Sequence, residues 1–420
     1  MSKNPSGFTF ESIDFDPFES LVVQVPSTEA QREIYTSVQL GGDGANCAYN
    51  ESVTIQLSGP LNKEYLRKAF EQVIHRHDAL RAVFTDDGTG ITVAPYVVTP
   101  WEEVYAGSYE EPSLVIGKFA REATLHAFNL SKGPLIRAVL IIFNDHEHAL
   151  IITGHHIICD GWSLSLLIRD MSAFYSASVK RQFPSLEQPI SFANYAVDQE
   201  NYRHSDSQTE TENYWLNQYQ GDVPVVEFPN DFTRPALRSF HAKRIDVPVP
   251  ADIVIGLRQL SRKTNTSFVT LMLAAFESYL YRVTGQQDLV VGLPAAGQNV
   301  EGLYNLVGHC VNLLPIRSTN FGEKPLSDHL KEARKLVLDA YDHQQCTFGS
   351  ILTTISLERN PARPSFVQAL FNLDQAIDGS KLAFEGLRAT YHSNPRHFEN
   401  FEIFMNASEY GGKVVLETQY

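Results

Sequence analysis

The sequence predicts an α/β (α+β) protein built as two lobes. Three observations carry this expectation. Strand-like and helix-like hydrophobic patterns alternate in both halves of the chain. A polar, weakly patterned stretch at 199–235 separates the halves. The length of 420 residues exceeds what one ordinary core takes. The expected divisions are a leader at 1–26, a first lobe at 27–200, a connection at 201–235 and a second lobe at 236–420.

The elements follow in order. Ser27-Thr28-Glu29-Ala30-Gln31 offers a capped helix start. Gly41-Gly42-Asp43-Gly44 is expected to break that helix. Asn50 to Leu57 alternates like a half-buried strand. Leu66, Phe70, Val73 and His77 fall at helical spacing and predict a helix from about Asn62 to His77. Leu80 to Phe84 reads as a strand. Leu135 to Phe143 and Ala149 to Thr153 flank a polar turn and read as a buried hairpin. Trp162, Leu164, Leu167, Ile168, Met171, Phe174 and Tyr175 then show helical period. A Trp/Tyr helix near Asn213 to Tyr219 sits inside the connection. In the second half, Lys243 to Val249, Asp288 to Leu293, Val367 to Leu373 and Phe401 to Ala407 read as strands. Ile253 to Ser261 and Phe268 to Val283 read as helices.

Composition excludes several classes. Lys plus Arg is 34 and Asp plus Glu is 49, a formal net charge of −15, unlike a nucleic-acid binder with its basic patch. No run approaches the ~20 apolar residues of a membrane span. No apolar segment follows Met1-Ser2-Lys3-Asn4-Pro5, so no secretory signal is expected. Cys47, Cys159, Cys310 and Cys346 share no CxxC spacing, which argues against a Cys-pair zinc site or a disulfide framework. These facts predict a reduced, cytoplasmic protein.

The candidate site is Gly154-His155-His156-Ile157-Ile158-Cys159-Asp160-Gly161-Trp162-Ser163. Two imidazoles and a carboxylate follow a very apolar hairpin, and burying them is costly unless they are partnered. Adjacent residues of an extended chain point to opposite faces, so one His should be structural and the other functional. His156 and Asp160 could ligate a cation if the segment were helical, but Gly154 and Asp160-Gly161 speak for a loop and no third ligand lies nearby. Acid–base chemistry is the sharper expectation, because an imidazole is suited to taking a proton near neutral pH. Asp160 is better placed to shape the loop, and a buried carboxylate calls for a cation, for which Arg81 is the expected partner. The helix opening at Gly161 would point N–H groups at the cavity, where they could stabilise developing negative charge.

The stretch His155-His156-Ile157-Ile158-Cys159-Asp160-Gly161 resembles the HHxxxDG signature of the condensation domains of non-ribosomal peptide synthetases. These belong to the chloramphenicol acetyltransferase-like acyltransferase superfamily. Ser27 to Tyr35 is similar to the family's opening SxAQxR(L/M)(W/Y) motif. His75 to Phe84 resembles RHExLRTxF, with Asp for Glu and Ala for Thr. Ser191-Phe192-Ala193-Asn194-Tyr195-Ala196 looks like a diverged YxDFAxW segment. Val307-Gly308-His309-Cys310-Val311-Asn312 resembles GxFVNT with two departures, and His343 to Phe348 is a distant version of HQDxPFE. The resemblance runs from about residue 25 to the end, in the family's order.

The resemblance implies two chloramphenicol-acetyltransferase-like lobes in a V, with a tunnel between them. It implies that donor and acceptor carrier proteins present thioesters on phosphopantetheine arms, and that the domain itself binds no cofactor and no metal. The donor's acyl or peptidyl chain would pass to the acceptor's amine as an amide. His156 would be the catalytic residue, as general base or as the group that positions the amine. His155, Asp160, Gly161 and Arg81 would support it, and Ser163 and Asn372 would line the tunnel. Cys159 lies in the variable part of the signature and reads as packing. The family's usual closing segment is not found before Tyr420, so the second lobe is expected to lack its last strand and helix, in a chain excised from a synthetase with adjacent adenylation or polyketide synthase domains. No nucleic acid or membrane is implied.

Alternatives of the same superfamily are weighed by motif. Heterocyclases carry DxxxxD in place of the His pair. Epimerases usually lack the Gly that Asp160-Gly161 retains. A stand-alone coenzyme A-dependent acyltransferase remains open. An inactive recruitment module would have degraded the His pair.

Overall fold

The computed structural model describes residues 22–106, 111–299, 302–319, 324–355, 360–364, 366–375 and 383–420. Most of the expected leader, 1–21, lies outside the described residues. Its end is not a linker: β1 (Val23–Pro26) pairs with β4 (Gly90–Val93), which also pairs with β3 (Ala82–Phe84) in a small antiparallel sheet.

Helix α1 (Glu29–Ala48) starts at a full capping box. Thr28 Oγ1 accepts from the Gln31 amide at 3.2 Å, and the Thr28 amide donates to Gln31 Oε1 at 3.0 Å. The glycine run breaks the helical path as expected, and two helical stretches meet at a kink there. Gly42 takes φ 62°, ψ −152°, outside the helical region, and a second helical stretch runs on to Ala48. Helix α2 (Lys63–Arg76) matches its expected span, with Leu66, Ala69, Phe70, Val73 and Ile74 buried. The run from Leu80 divides: Asp78–Arg81 forms a 3-10 turn and only Ala82–Phe84 is strand.

Among the described residues the first half's main sheet has five strands, ordered β12 (Arg388–Ser393), β2, β7, β6 and β5. It contains β2 (Asn50–Ser58), β5 (Trp101–Tyr105), β6 (Ile136–Ile142) and β7 (Glu147–His155). The hairpin β6–β7 is antiparallel, with Leu140 opposite Leu150. Its lack of alternation has a physical cause. On one face Leu140, Leu150 and Ile152 join the main core with α2 and α4 (Gly161–Lys180). On the other, Ile141, Ala149 and Ile151 pack under α3 (Pro112–Leu125). A strand buried on both faces keeps apolar residues at every position.

The fifth strand corrects the expected boundary of the second lobe. β12 (Arg388–Ser393) comes from the second half and pairs with β2, Ala389 opposite Leu57 and Tyr391 opposite Ile55. Leu306, Val307, Cys310 and Phe384 also bury in the first core. The connection is corrected too. α5 (Phe192–Arg203) and α6 (Asp206–Gln218) occupy much of it, and Trp215, Tyr219 and Val226 bury in the second core.

Among the described residues the second half's sheet has six strands, β10-β9-β11-β13-β14-β8. These are β8 (Arg244–Pro248), β9 (Asp288–Ala296), β10 (Val311–Thr319), β11 (Ala369–Gln375), β13 (Ile403–Tyr410) and β14 (Lys413–Gln419). β11 runs parallel to β9 and β13, and the other neighbours are antiparallel. Helices α7 (Ala251–Lys263), α8 (Phe268–Thr284), α9 (Leu326–Asp342) and α10 (Phe348–Thr354) complete it. Leu271 and Ala274 of α8 bury against Leu330 and Ala333 of α9. Among the described residues no helix is long and apolar enough to cross a membrane.

Candidate functional site

The signature sits where β7 hands over to α4. Antiparallel pairing sets Asn50 opposite His155 and Glu51 opposite Gly154. The pleat then separates the two histidines. His155 is fully buried, with Tyr49 and Phe128 rings 5.9 and 6.1 Å from its own. Burial pushes it down to about 3, so it is neutral at ordinary pH. His156 faces the other way, into a large cavity, while its amide donates to the Tyr49 carbonyl at 2.7 Å.

That cavity, about 2570 Å³, lies between the halves. Glu33, Glu51, His156 and Trp162 line it from the first half, and Leu293, His309, Asn372 and Arg396 from the second. Trp162 Nε1 donates to the Tyr304 carbonyl at 3.1 Å and ties the halves beside the site.

Asp160 corrects the expected ion pair. Its side chain is fully buried and caps α4. Oδ1 accepts from the Ser163 amide and from Ser163 Oγ, both at 2.8 Å. Oδ2 accepts from Gln298 Nε2 at 2.8 Å and from the Cys310 amide at 3.1 Å. Four neutral donors and a helix N-terminus thus replace the cation. Arg81 turns elsewhere: it donates to the Ala94 carbonyl, and Asp78 is the carboxylate that acts on it.

Ser163 is also corrected. It is fully buried and does not line the cavity. Its Oγ lies 2.9 Å from the Gly308 carbonyl oxygen and accepts from the Gly308 amide at 3.0 Å. Gly308 itself is required by crowding, because a Cβ there would meet the Phe192 ring at 1.9 Å. Gly161 opens α4 at the cavity wall, with open space where a Cβ would stand. Asn372, on β11, lines the cavity and donates to Asn406 Oδ1 at 3.1 Å.

Side chains that the sequence reading did not select complete the surroundings of His156. Glu51 Oε1 is 3.3 Å from His156 Nε2, an ion-pair distance. His309 Nδ1 is 2.9 Å from His156 Nδ1, with the rings edge to face. Arg396 pairs with Glu51, and with Glu399 at 3.5 Å. Burial works to raise the Glu51 carboxyl, but Arg396 and His156 outweigh it and hold the group below its usual range. Burial prevails at Glu399, which is raised despite Arg396. Burial also holds His309 well below the ordinary imidazole value, helped by neighbouring His156. His309 lies within the Val307 to Asn312 motif, where no site role is expected of it. Glu51 and Arg396 carried no local signal. Among the described residues no group of three or more His, Cys, Asp or Glu is arranged to hold a metal ion.

The quoted motifs meet around this loop. Gln31 Nε2 donates to the Ile157 carbonyl at 2.9 Å. Asp78 accepts from Ser191 Oγ at 2.7 Å and from the Phe192 amide at 2.8 Å. Comparison with known proteins agrees with this arrangement, because the profile of the family described as Condensation domain matches residues 23–420. The chain is a member of the condensation-domain family. This family comprises amide-forming acyltransferase domains of multidomain non-ribosomal peptide synthetases. The condensation domain is 31% identical over 401 residues to a plipastatin synthase of Bacillus subtilis (strain 168), covering 94% of this chain and 15% of that protein. It is 30% identical over 417 residues to a surfactin synthase of the same organism, covering 98% of this chain and 11% of that protein. It thus spans less than a sixth of the length of either relative. Among solved structures, it superposes on a four-domain nonribosomal peptide synthetase bound to AMP and glycine with TM-score 0.85 at 20% identity, covering 95% of this chain and 31% of that one. The starter condensation domain of rhizomide synthetase gives TM-score 0.81 at 21% identity, covering 94% and 89%. These likenesses show the chloramphenicol acetyltransferase-like fold that the sequence predicted.

Proposed function

We propose that this condensation domain joins a donor acyl or peptidyl thioester to an acceptor amine, both borne on phosphopantetheine arms of carrier proteins. The observation that carries the reading is the place of His156. It is the signature imidazole that faces the cavity between the halves, with the ionised Glu51 beside its Nε2. A neutral imidazole there can take the proton of the attacking amine, and Glu51 favours the imidazolium that results. The amine nitrogen bonds to the thioester carbonyl carbon, the carbon–sulfur bond breaks, and the proton passes to the leaving thiolate. The opening turn of α4 at Gly161 borders the cavity, where N–H groups and the helix dipole favour developing negative charge. His155 and Asp160 shape the loop from beneath, and Asn372 contributes to the opposite wall. Four free, buried cysteines suit work in the reducing cytoplasm, beside adenylation or polyketide synthase domains that load the carriers.

The test is an in vitro condensation with separately loaded donor and acceptor carrier proteins. Wild-type protein should form the amide, and His156→Ala should lose nearly all of it. Wild-type yield from His156→Ala would remove the role given to this residue.

A further inference from the structure

We propose that Phe240 is a latch pin whose ring, seated in the glycine break of α1, closes one mouth of the cavity and withdraws to admit a thioester-bearing arm. The inference rests on the amide-forming reading only for what passes the mouth.

Between α6 and β8 the described residues 219–243 form no helix or strand, apart from a bridge between His241 and Phe398. Connections longer than about 12–15 residues without structure of their own are uncommon in a compact protein and usually serve as lids, binding loops or linkers. This one runs along the cavity. A residue that lines a cavity and also stands largely in solvent lies on its rim. Leu40 of α1, 84% exposed, and Leu237 of the connection, 71% exposed, both meet that description. They mark a mouth with the first half on one side and the connection on the other. Phe240 lines the cavity too, and its ring reaches Gly41, next to Leu40.

Two strained backbones meet at this contact. Gly42 takes φ 62°, ψ −152°, a conformation open essentially to glycine alone, and there α1 bends. Phe240 takes φ 60°, a region that a bulky side chain rarely adopts. A Cβ on Gly41 would stand 2.8 Å from the Phe240 ring and one on Gly44 3.4 Å, so the break in α1 leaves a seat that the ring fills. Strain of this kind persists where the surroundings enforce it, and it concentrates at clamps and switches.

The bonds of the connection decide which side moves. Among the described residues, the hydrogen bonds of 237–243 go to the second half. The Phe240 carbonyl accepts from the Glu399 amide at 2.8 Å, and the Ala242 amide donates to the His397 carbonyl at 2.9 Å. Arg238 Nη1 donates to the Asn400 carbonyl at 2.8 Å, and its guanidinium covers the Phe240 ring from 4.0 Å. What reaches the first half is the apolar ring, which can leave its seat while these bonds stay. The second stretch of α1 is held in the first half. Ala45, Cys47 and Ala48 are buried there, and Asn46 exchanges two hydrogen bonds of 2.9 Å with Phe128. That stretch leads to Tyr49, whose carbonyl holds the His156 amide. The latch therefore opens without disturbing the loop that carries His156.

A disulfide tests the latch. A Cβ on Gly44 would stand 3.7 Å from the Phe240 Cβ, within the span of about 3.5–4.5 Å that a disulfide bridges. Oxidised Gly44→Cys/Phe240→Cys, its crosslink confirmed by mass, should condense carrier-borne substrates slower by about tenfold or more and recover on reduction. Wild-type protein should keep its rate under the same oxidant, because its four cysteines are buried. Spin labels on Leu40→Cys and Leu237→Cys read the mouth without any substrate, and adding Phe240→Ala should shift their separation to longer distances. A crosslinked protein at full rate, a cysteine pair that never joins, or a label separation that ignores Phe240→Ala would overturn the proposal. If wild-type protein makes no amide while Phe240→Ala lengthens the separation, the amide-forming reading falls and the latch stands.

Discussion

Glu51 and Arg396 lie 345 positions apart and pair directly beside His156. Glu51 sits on β2 of the first half, and Arg396 lies between β12 and β13. The pair exists because β12 crosses onto the edge of the first sheet and brings the following segment to the site. One ion pair therefore holds both the polar wall of the cavity and the meeting of the halves.

Removing one partner should cost more than removing both. Arg396→Ala leaves Glu51 and Glu399 largely enclosed without their cation. The expected loss is about 3 kcal/mol, at the low end for a broken buried pair because both side chains keep some exposure. Adding Glu51→Gln to Arg396→Ala should recover part of it. Urea unfolding of the two single variants and the double variant measures the coupling, and strictly additive losses would show that there is none.

Asp160 should be sensitive to loss of charge although no cation faces it. All four of its contacts are donors. In Asp160→Asn one oxygen becomes an NH2 group that meets donors, which should cost about 1–3 kcal/mol. Arg81→Ala should act independently, so the double variant should lose the sum of the single losses. A clear shortfall from additivity in thermal unfolding would restore the ion pair that the structure does not show.

Glu33 should make stability depend on pH. It lines the cavity from α1 and accepts from the Gly349 amide of α10 at 2.6 Å. Burial pushes its carboxyl up to about 7 from 4.5. Between those values the native protein holds a proton that the unfolded chain has released. Its contribution is thus complete below the lower value and is lost as pH rises through about 7. For a partly exposed side chain the decline should be on the order of 2 kcal/mol. Glu33→Gln keeps an acceptor for Gly349 and should flatten the curve. An equally steep decline in the variant would assign it to another group.

The parts legible in the sequence are those whose physics is local. The Thr28–Gln31 capping box, the α2 stripe and the β6–β7 hairpin each declare themselves within a few residues, because helix and strand periods act at short range. The signature was legible because a polar cluster after so apolar a hairpin calls for partners. What failed was partner choice. Asp160 finds Gln298 and Cys310, 138 and 150 positions away. Ser163 was expected at the cavity and instead bonds Gly308, 145 positions on.

The sequence alone therefore determined the family, the alternation of helices and strands, and the loop that carries His156. Only the tertiary structure decided that β12 belongs to the first sheet, that Asp160 needs no arginine, and that Glu51, Arg396 and His309 surround His156. The reason is that a buried polar group requires satisfaction but does not name its partner. Any donor of suitable geometry will serve, and which one arrives is settled by how distant segments cross when the two halves pack.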